Sequence, residues 1–263
     1  MRAAITDLSP AALFGIDGKV ALVTGGTSGI GRMIAEGLVA AGARVYVTAR
    51  TPADVEETAA ALGCHGIVAD LGNSEGIAAV ATALSGESRL DILVNNAGTV
   101  WLAPIEQFPR EGFAHVLDLN VSAPFMLVQA LLPLLRASAR PDDPARVINI
   151  ASIGAFRAGG WDNFSNSPSK AALISLTQHL GARLAGENIS VNAIAPGLFP
   201  SRLTDATVPL DDPAVCAAVA SPLGNRVGTA EDIAGAVIYL ASRAGAWLTG
   251  ITLPVSGGRA TID

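Results

Sequence analysis

Charge, cysteine and tyrosine are all scarce in this chain of 263 residues, and each scarcity excludes something. Charged residues make up 15% of the chain and the formal charge is −6. Without a cluster of Lys and Arg there is nothing to displace counterions from a phosphate backbone, which argues against a nucleic-acid partner. The two cysteines, Cys64 and Cys216, lack metal or redox spacing. They read as reduced thiols of a cytoplasmic protein, and no metal site is expected, since His65 beside Cys64 has no further ligands at metal spacing. No run of eighteen apolar residues occurs, and the opening M-R-A-A-I-T-D-L lacks a long apolar core. Neither a membrane span nor a signal peptide is expected. Tyrosine occurs only at Tyr46 and Tyr239. That last scarcity bears on the chemistry.

What is present is apolar and rich in glycine: half the residues are hydrophobic and 28 are Gly. After an irregular arm over 1–17, the run K-V-A-L-V-T at 19–24 has the short, β-branched look of a strand buried on both faces. Further strands are expected at 43–48, 66–69, 90–95, 145–151, 189–195 and 248–254. Helical spacing falls between them, at 32–41, 52–62, 74–84, 108–136, 165–185 and 230–242. Strands alternating with helices predict right-handed crossovers and an α/β fold, a Rossmann-type doubly wound parallel sheet of about seven strands with helices on both faces. No repeat or linker interrupts the pattern, so residues 1–263 read as one domain.

The first strand ends in G-G-T-S-G-I-G and runs into a helix, the context in which a glycine motif is informative. Gly25 permits a tight turn, Gly29 lets the backbone approach a pyrophosphate, and Gly31 lets helix and strand pack closely. The helix N-terminus then faces the phosphates with free N–H groups. An NAD site usually places a carboxylate at the end of the second strand. That end reads V-T-A-R, where Ala49 cannot repel a 2′-phosphate and Arg50 can pair with one. NADP is therefore expected, ahead of NAD.

Together these residues resemble the short-chain dehydrogenase/reductase family along nearly the whole chain. The motifs are T-G-G-T-S-G-I-G at 24–31, Asp70, N-N-A-G at 95–98, Asn120 in L-D-L-N-V, Ser152, Lys170, P-G at 196–197 and V-S-G-G at 255–258. S-P-S-K-A-A and A-P-G-L-F-P-S-R look similar to 3-oxoacyl-thioester and ketone reductases. The resemblance implies that Thr27, Ser28 and Ile30 join the three glycines at the cofactor, and that Asp70 and Leu71 bracket the adenine. It implies that Asn95 and Ala97 stabilise the central sheet, and that Ala97, Asn96 and Gly98 line the cofactor. Ile194, Pro196, Gly197 and Phe199 would flank the nicotinamide, and Ser201 stands where a threonine often contacts the carboxamide. Homotetramers or homodimers are implied, through the helices at 108–136 and 165–185 and the C-terminal region.

In that family a tyrosine phenol gives its proton to the carbonyl oxygen as hydride arrives. A lysine lowers the phenol pKa and holds the ribose, a serine binds the oxygen, and an asparagine supports a proton-relaying water. Ser152, Lys170 and Asn120 match three of the four roles, while Asn166 stands four residues before Lys170, where the tyrosine belongs. On a helix the two share one face. An amide donates a hydrogen bond yet releases no proton near neutral pH, although it can polarise an oxygen. Three explanations remain open. Asn166 is an inactivating substitution of a tyrosine, or a variant whose proton comes from water, Ser152 or Asp162, or a site for iminium substrates that accept hydride without an acid. The expected function is NADP-dependent carbonyl reduction, with imine reduction or cyclisation and catalytically silent dinucleotide binding as alternatives. Trp101, Phe156, Trp161, Phe164 and Phe199 suggest a bulky apolar small-molecule substrate, and the proline-rich run at 198–225 suggests a lid.

Overall fold

The computed structural model describes residues 7–156, 162–201, 204 and 220–260. Seven strands form one sheet: β1 (Val20–Thr24), β2 (Arg44–Ala49), β3 (His65–Val68), β4 (Ile92–Asn95), β5 (Ala145–Ile150), β6 (Ile189–Pro196) and β7 (Thr252–Val255). Their order is β3-β2-β1-β4-β5-β6-β7 and every pairing is parallel. The chain thus winds outward in both directions from the β1–β4 pair. Open sheets of this kind place their ligand crevice at the carboxyl ends of the strands where the direction reverses.

Strands β1, β4, β5 and β6 are buried at every residue, which explains why they read as unbroken apolar runs rather than alternating ones. Their side chains divide between two cores. Ala21, Val23, Ile92 and Val94 meet Ile34 and Leu38 of α2 (Gly29–Ala40) and Ile233 and Val237 of α8 (Ala230–Ala241). Val20, Leu22, Leu93 and Val147 meet Val80 of α4 (Ser74–Ala83), Leu127, Leu131 and Leu135 of α6 (Ala123–Ser138) and Leu184 of α7 (Asn166–Leu184). The helix α3 (Pro52–Leu62) covers the outer strands, with Val55 against Gly66.

Three expectations need correction. The arm contains a short helix, α1 (Pro10–Phe14), because Ser9 Oγ accepts from the Ala12 N–H and caps it. The single helix expected at 108–136 is α5 (Arg110–Leu117) and α6 separated by a π turn at Asp118–Ser122. There the Ala123 N–H reaches the Asp118 carbonyl, and Pro124 has no N–H to offer Asn120. The closing strand begins at Thr252 rather than 248, because Gly250 turns the chain with φ 74° and donates its N–H to Val191 O. Most of the segment expected as a lid, and Trp161, lie outside the described residues. Among the described residues one helical stretch, Arg110–Ser138, is long and apolar enough to cross a membrane. It contains the π turn, and Leu127, Leu131 and Leu135 bury one side of it in the second core.

Candidate active site

At the carboxyl end of the sheet a cleft of about 490 Å³ runs from the glycine turn to the start of α7. The turn after β1 is shaped by geometry that only glycine supplies. Gly25 and Gly29 take φ of 62° and 52°, and a Cβ on Gly31 would drive into the Gly25 carbonyl and the Asn96 side-chain amide. Asn96 clasps the turn from β4, its Nδ2 donating to Thr24 O at 2.9 Å and Gly25 O at 3.1 Å. Thr24 answers from β1: its buried Oγ1 accepts from the backbone N–H groups of Asn96 and Ala97, both at 2.9 Å. The cleft is thus walled by backbone that side-chain hydrogen bonds from both strands hold in place.

At one end Gly29, Ile30 and Gly31 open α2, and Ser28 at its N-cap makes no side-chain cap bond, so the first-turn N–H groups keep their capacity to bind. Thr27, Ser28, Ala49 and Arg50 line the same end with Asp70 and Leu71. Arg50 is exposed, and no carboxylate stands at Ala49. Asp70 Oδ1 accepts from the Gly72 N–H at 3.0 Å, a local turn that fixes the chain after β3. These residues suit a dinucleotide. Gly29 has no room for a side chain, since a Cβ there would lie 2.7 Å from Ser201 Cβ, and the helix N-terminus and Arg50 offer two separate seats for phosphate.

At the other end the structure brings Ser152, Asn166, Lys170, Ala97, Gly98, Pro196, Gly197, Phe199 and Ser201 around one space. Ser152 follows β5, and its Oγ accepts from the Gly154 N–H at 3.0 Å, which leaves its own proton to donate. Lys170, half-buried in the first turns of α7, donates from Nζ to Ile150 O at 2.8 Å. Withdrawal from water lowers its pKa to about 8, with no ionised neighbour contributing.

Asn120 holds the frame behind this end of the cleft. It is buried in the π turn and its whole amide is engaged. Oδ1 accepts from the Thr99 N–H at 2.9 Å, while Nδ2 donates to Thr99 O at 3.0 Å and Ser169 Oγ at 2.9 Å. Ser169 Oγ in turn donates to the backbone carbonyl of Asn166 at 2.7 Å. Asn120 therefore locks the π turn, the 95–99 turn and α7 into one frame. Below it, Asn95 Nδ2 donates to Asn149 Oδ1 and Asn149 Nδ2 to Thr177 Oγ1, both at 2.8 Å, tying β4 and β5 to α7. Thr24, Thr99 and Ser169 were not singled out from the sequence. No spacing rule marks them, because each acts through partners far away in the chain.

The aromatic residues are dispersed. Trp101 does not line the cleft: its ring packs on Gly112 and lies 6.5 Å from His115, edge to face. Phe164 stacks edge-on against Phe108 at 5.6 Å, and Phe156 is half exposed near the Ser152 turn. Phe199 lines the cleft and is buried in the first core, its ring over Gly228. Asp162 is exposed and does not line the cleft. Among the described residues no cluster of His, Cys, Asp or Glu could hold a metal ion.

Comparison with known proteins bears on this geometry. The family model described as enoyl-(acyl carrier protein) reductase matches residues 25–260. A 3-oxoacyl-[acyl-carrier-protein] reductase of rhamnolipid biosynthesis in Pseudomonas aeruginosa is 48% identical over 93% of this chain and 97% of its own length. The 3-oxoacyl-[acyl-carrier-protein] reductase FabG of Escherichia coli is 35% identical over 92% and 97%. Among solved structures, the Pseudomonas aeruginosa RhlG/NADP active-site complex superposes with a TM-score of 0.90 at 46% identity, covering 95% of this chain and 99% of that one. L-sorbose reductase from Gluconobacter frateurii, solved with NADPH and L-sorbose, gives 0.86 at 30% identity over 95% and 99%.

Proposed function

This chain belongs to the short-chain dehydrogenase/reductase family, and from that premise we propose that it is an NADP-dependent oxidoreductase reducing the carbonyl of a bulky apolar small molecule. The observation that carries the reading is a single cleft with Arg50 and the glycine turn at one end and Ser152, Asn166 and Lys170 at the other. The dinucleotide supplies hydride when bound. Gly25, Gly29 and Gly31 admit its pyrophosphate, Arg50 pairs with the 2′-phosphate, and Asp70 and Leu71 bracket the adenine. Asn96, Ala97, Gly98, Pro196, Gly197, Phe199 and Ser201 take the nicotinamide end, and Lys170 the ribose. Ser152 donates a hydrogen bond to the substrate oxygen, and the Asn166 amide a second one in the manner of an oxyanion hole.

Exposed Phe156 and Phe164 beside the site favour an apolar substrate. Exposed Phe125 and Met126 on α6, with Trp247 at 97% exposure, favour a homo-oligomer. We place its work in the cytoplasm, as one domain. NADPH oxidation with apolar ketones and 3-oxoacyl thioesters tests the reading. Turnover of these supports it. Turnover confined to cyclic imines would replace it with iminium reduction, which the missing phenol also suits.

A further inference from the structure

We propose that Lys170 is the proton donor of this chain, delivering its ammonium proton to the substrate oxygen through water that occupies the space a phenol would fill at position 166. The inference rests on the carbonyl-reductase reading. Reduction adds hydride to the carbonyl carbon, supplied by the reduced nicotinamide, and leaves two electrons on oxygen that require one proton. On this proposal an N–H bond of Lys170 breaks, an O–H bond forms on the product, and the neutral amine takes a proton back from solvent.

Elimination by position carries the argument. Among the described residues, four titratable side chains line the cleft: Arg50, Asp54, Asp70 and Lys170. The first three lie with the glycine turn and the β2 and β3 ends, so Lys170 stands alone where Ser152 and Asn166 converge. Other titratable groups on the neighbouring helical elements are Arg110, Glu111 and His115 on α5, Asp118 in the π turn, Asp162 before α7, and His179 and Arg183 further along α7. All seven are exposed and none lines the cleft. A serine hydroxyl and a carboxamide hold their protons too tightly to give them up near neutral pH.

Approach is possible on the substrate side. Among the described residues Lys170 Nζ makes one hydrogen bond, to Ile150 O, and an ammonium has three donors, which leaves one for the ribose and one for water. The amide of Asn166 is shorter than a phenol by most of a ring, and an ordered water needs only about 30 Å³ with polar partners around it. Composition points the same way. Lys19 and Lys170 are the only lysines in a chain whose other basic side chains are all arginine. Arginine can also donate to a ribose or an anion, but it does not release a proton. A lysine kept at this one position of the cleft is the titratable choice. Its ammonium, weakened by desolvation alone, is matched to proton transfer near neutrality.

With two lysines the test is direct. In apoprotein labelled with 13C at lysine Cε, a Lys19→Arg variant assigns the two NMR signals, and the Lys170 signal should titrate near pH 8. The kcat for ketone reduction should fall as pH rises through that same midpoint. Lys170→Arg should lower kcat, read at saturating NADPH so that any loss in cofactor affinity drops out, by about 10²–10⁴. A Lys170 midpoint above 10, a kcat indifferent to pH between 6 and 9, or full activity in Lys170→Arg would each overturn the proposal. Ketone turnover by Asn166→Tyr with none by the native chain overturns this inference alone. No ketone turnover by either protein sinks the reductase reading itself, and the inference with it.

Discussion

Replacing Thr24 with valine removes one oxygen and keeps the shape of the side chain. That oxygen accepts the backbone N–H groups of Asn96 and Ala97, each at 2.9 Å, from a residue only 1% exposed. Valine packs as well as threonine in the strand, so the loss is two donors left without an acceptor, together with a long 3.4 Å bond from the hydroxyl to Val94 O. Each orphaned buried donor costs about 1–3 kcal/mol. Both N–H groups border the cleft, where water offers partial relief, so the lower half of that range applies and the total is about 2–4 kcal/mol. For 263 residues the unfolding entropy is about 0.55 kcal/mol per kelvin, which makes the expected fall in Tm about 4–7 °C. Urea denaturation of the native chain, Thr24→Val and Thr24→Ser measures it, with serine recovering most of the loss. NADPH affinity should drop with stability, because the freed turn no longer holds Gly25 against Asn96. A Thr24→Val loss below about 0.5 kcal/mol, within the range of an ordinary surface substitution, would refute the claim that this hydroxyl clamps the glycine turn.

Gly31→Ala would set a methyl group against the Gly25 carbonyl and the Asn96 amide. About 1–3 kcal/mol of stability should be lost to overpacking, and calorimetric titration should show a larger loss in NADPH binding; unchanged affinity would remove the glycine turn from the phosphate seat. Arg50→Ala should weaken NADPH by about 10–100-fold, the worth of one charge-assisted pair, and NADH by less than about threefold on the same principle. Equal losses for both cofactors would end the role given to Arg50. Stability should respond to Lys170 in alkaline solution. Its folded pKa, about 8, lies below the ordinary 10.5, so between these values the unfolded chain binds the extra proton and stability rises with pH. The burial penalty is fully present below pH 8 and fades toward 10.5. Denaturation of Lys170→Met should therefore show its gain over the native chain at pH 7 shrinking by pH 10; a constant difference would contradict the shift.

The sheet was legible because its central strands are buried on both faces, and an unbroken β-branched run such as V-A-L-V-T has few other homes. The glycine turn was legible for a related reason: a glycine that no side chain may replace, as at Gly31, leaves a mark at one position of the sequence. The frame behind the Ser152–Lys170 end left no such mark. Asn120, Thr99 and Ser169 are joined across 21 and 49 residues of chain, and none of their contacts follows a helix or strand period. The π turn was hidden as well, since the apolar spacing of α5 and α6 continues across it and only Pro124 hints that a donor is missing. Trp101 shows the converse error. A tryptophan in a loop beside a site invites a binding role, but Gly112 leaves room on α5 for its ring to pack instead.

That frame also decides what position 166 can tolerate. Ser169 Oγ donates to the backbone carbonyl of residue 166, and the backbone N–H of 166 donates to Asn163 O at 2.9 Å. The side chain of Asn166 makes no hydrogen bond among the described residues and borders open cleft. The scaffold therefore reads residue 166 through its backbone alone, and replacing the amide disturbs no bond that holds α7 in place. Asn166→Tyr should unfold within about 0.5 kcal/mol of the native chain, as an unconstrained position does. A phenol within reach of Lys170 should then donate the proton directly and raise ketone turnover by no more than about tenfold, because Lys170 already supplies most of the factor of about 10²–10⁴ that a general acid is worth. Chemical denaturation and NADPH oxidation on the same preparation check both halves. A destabilisation of several kcal/mol would mean that the side chain at 166 belongs to the frame after all. A gain of the full factor, about 10²–10⁴, would mean that the native site has no acid of its own.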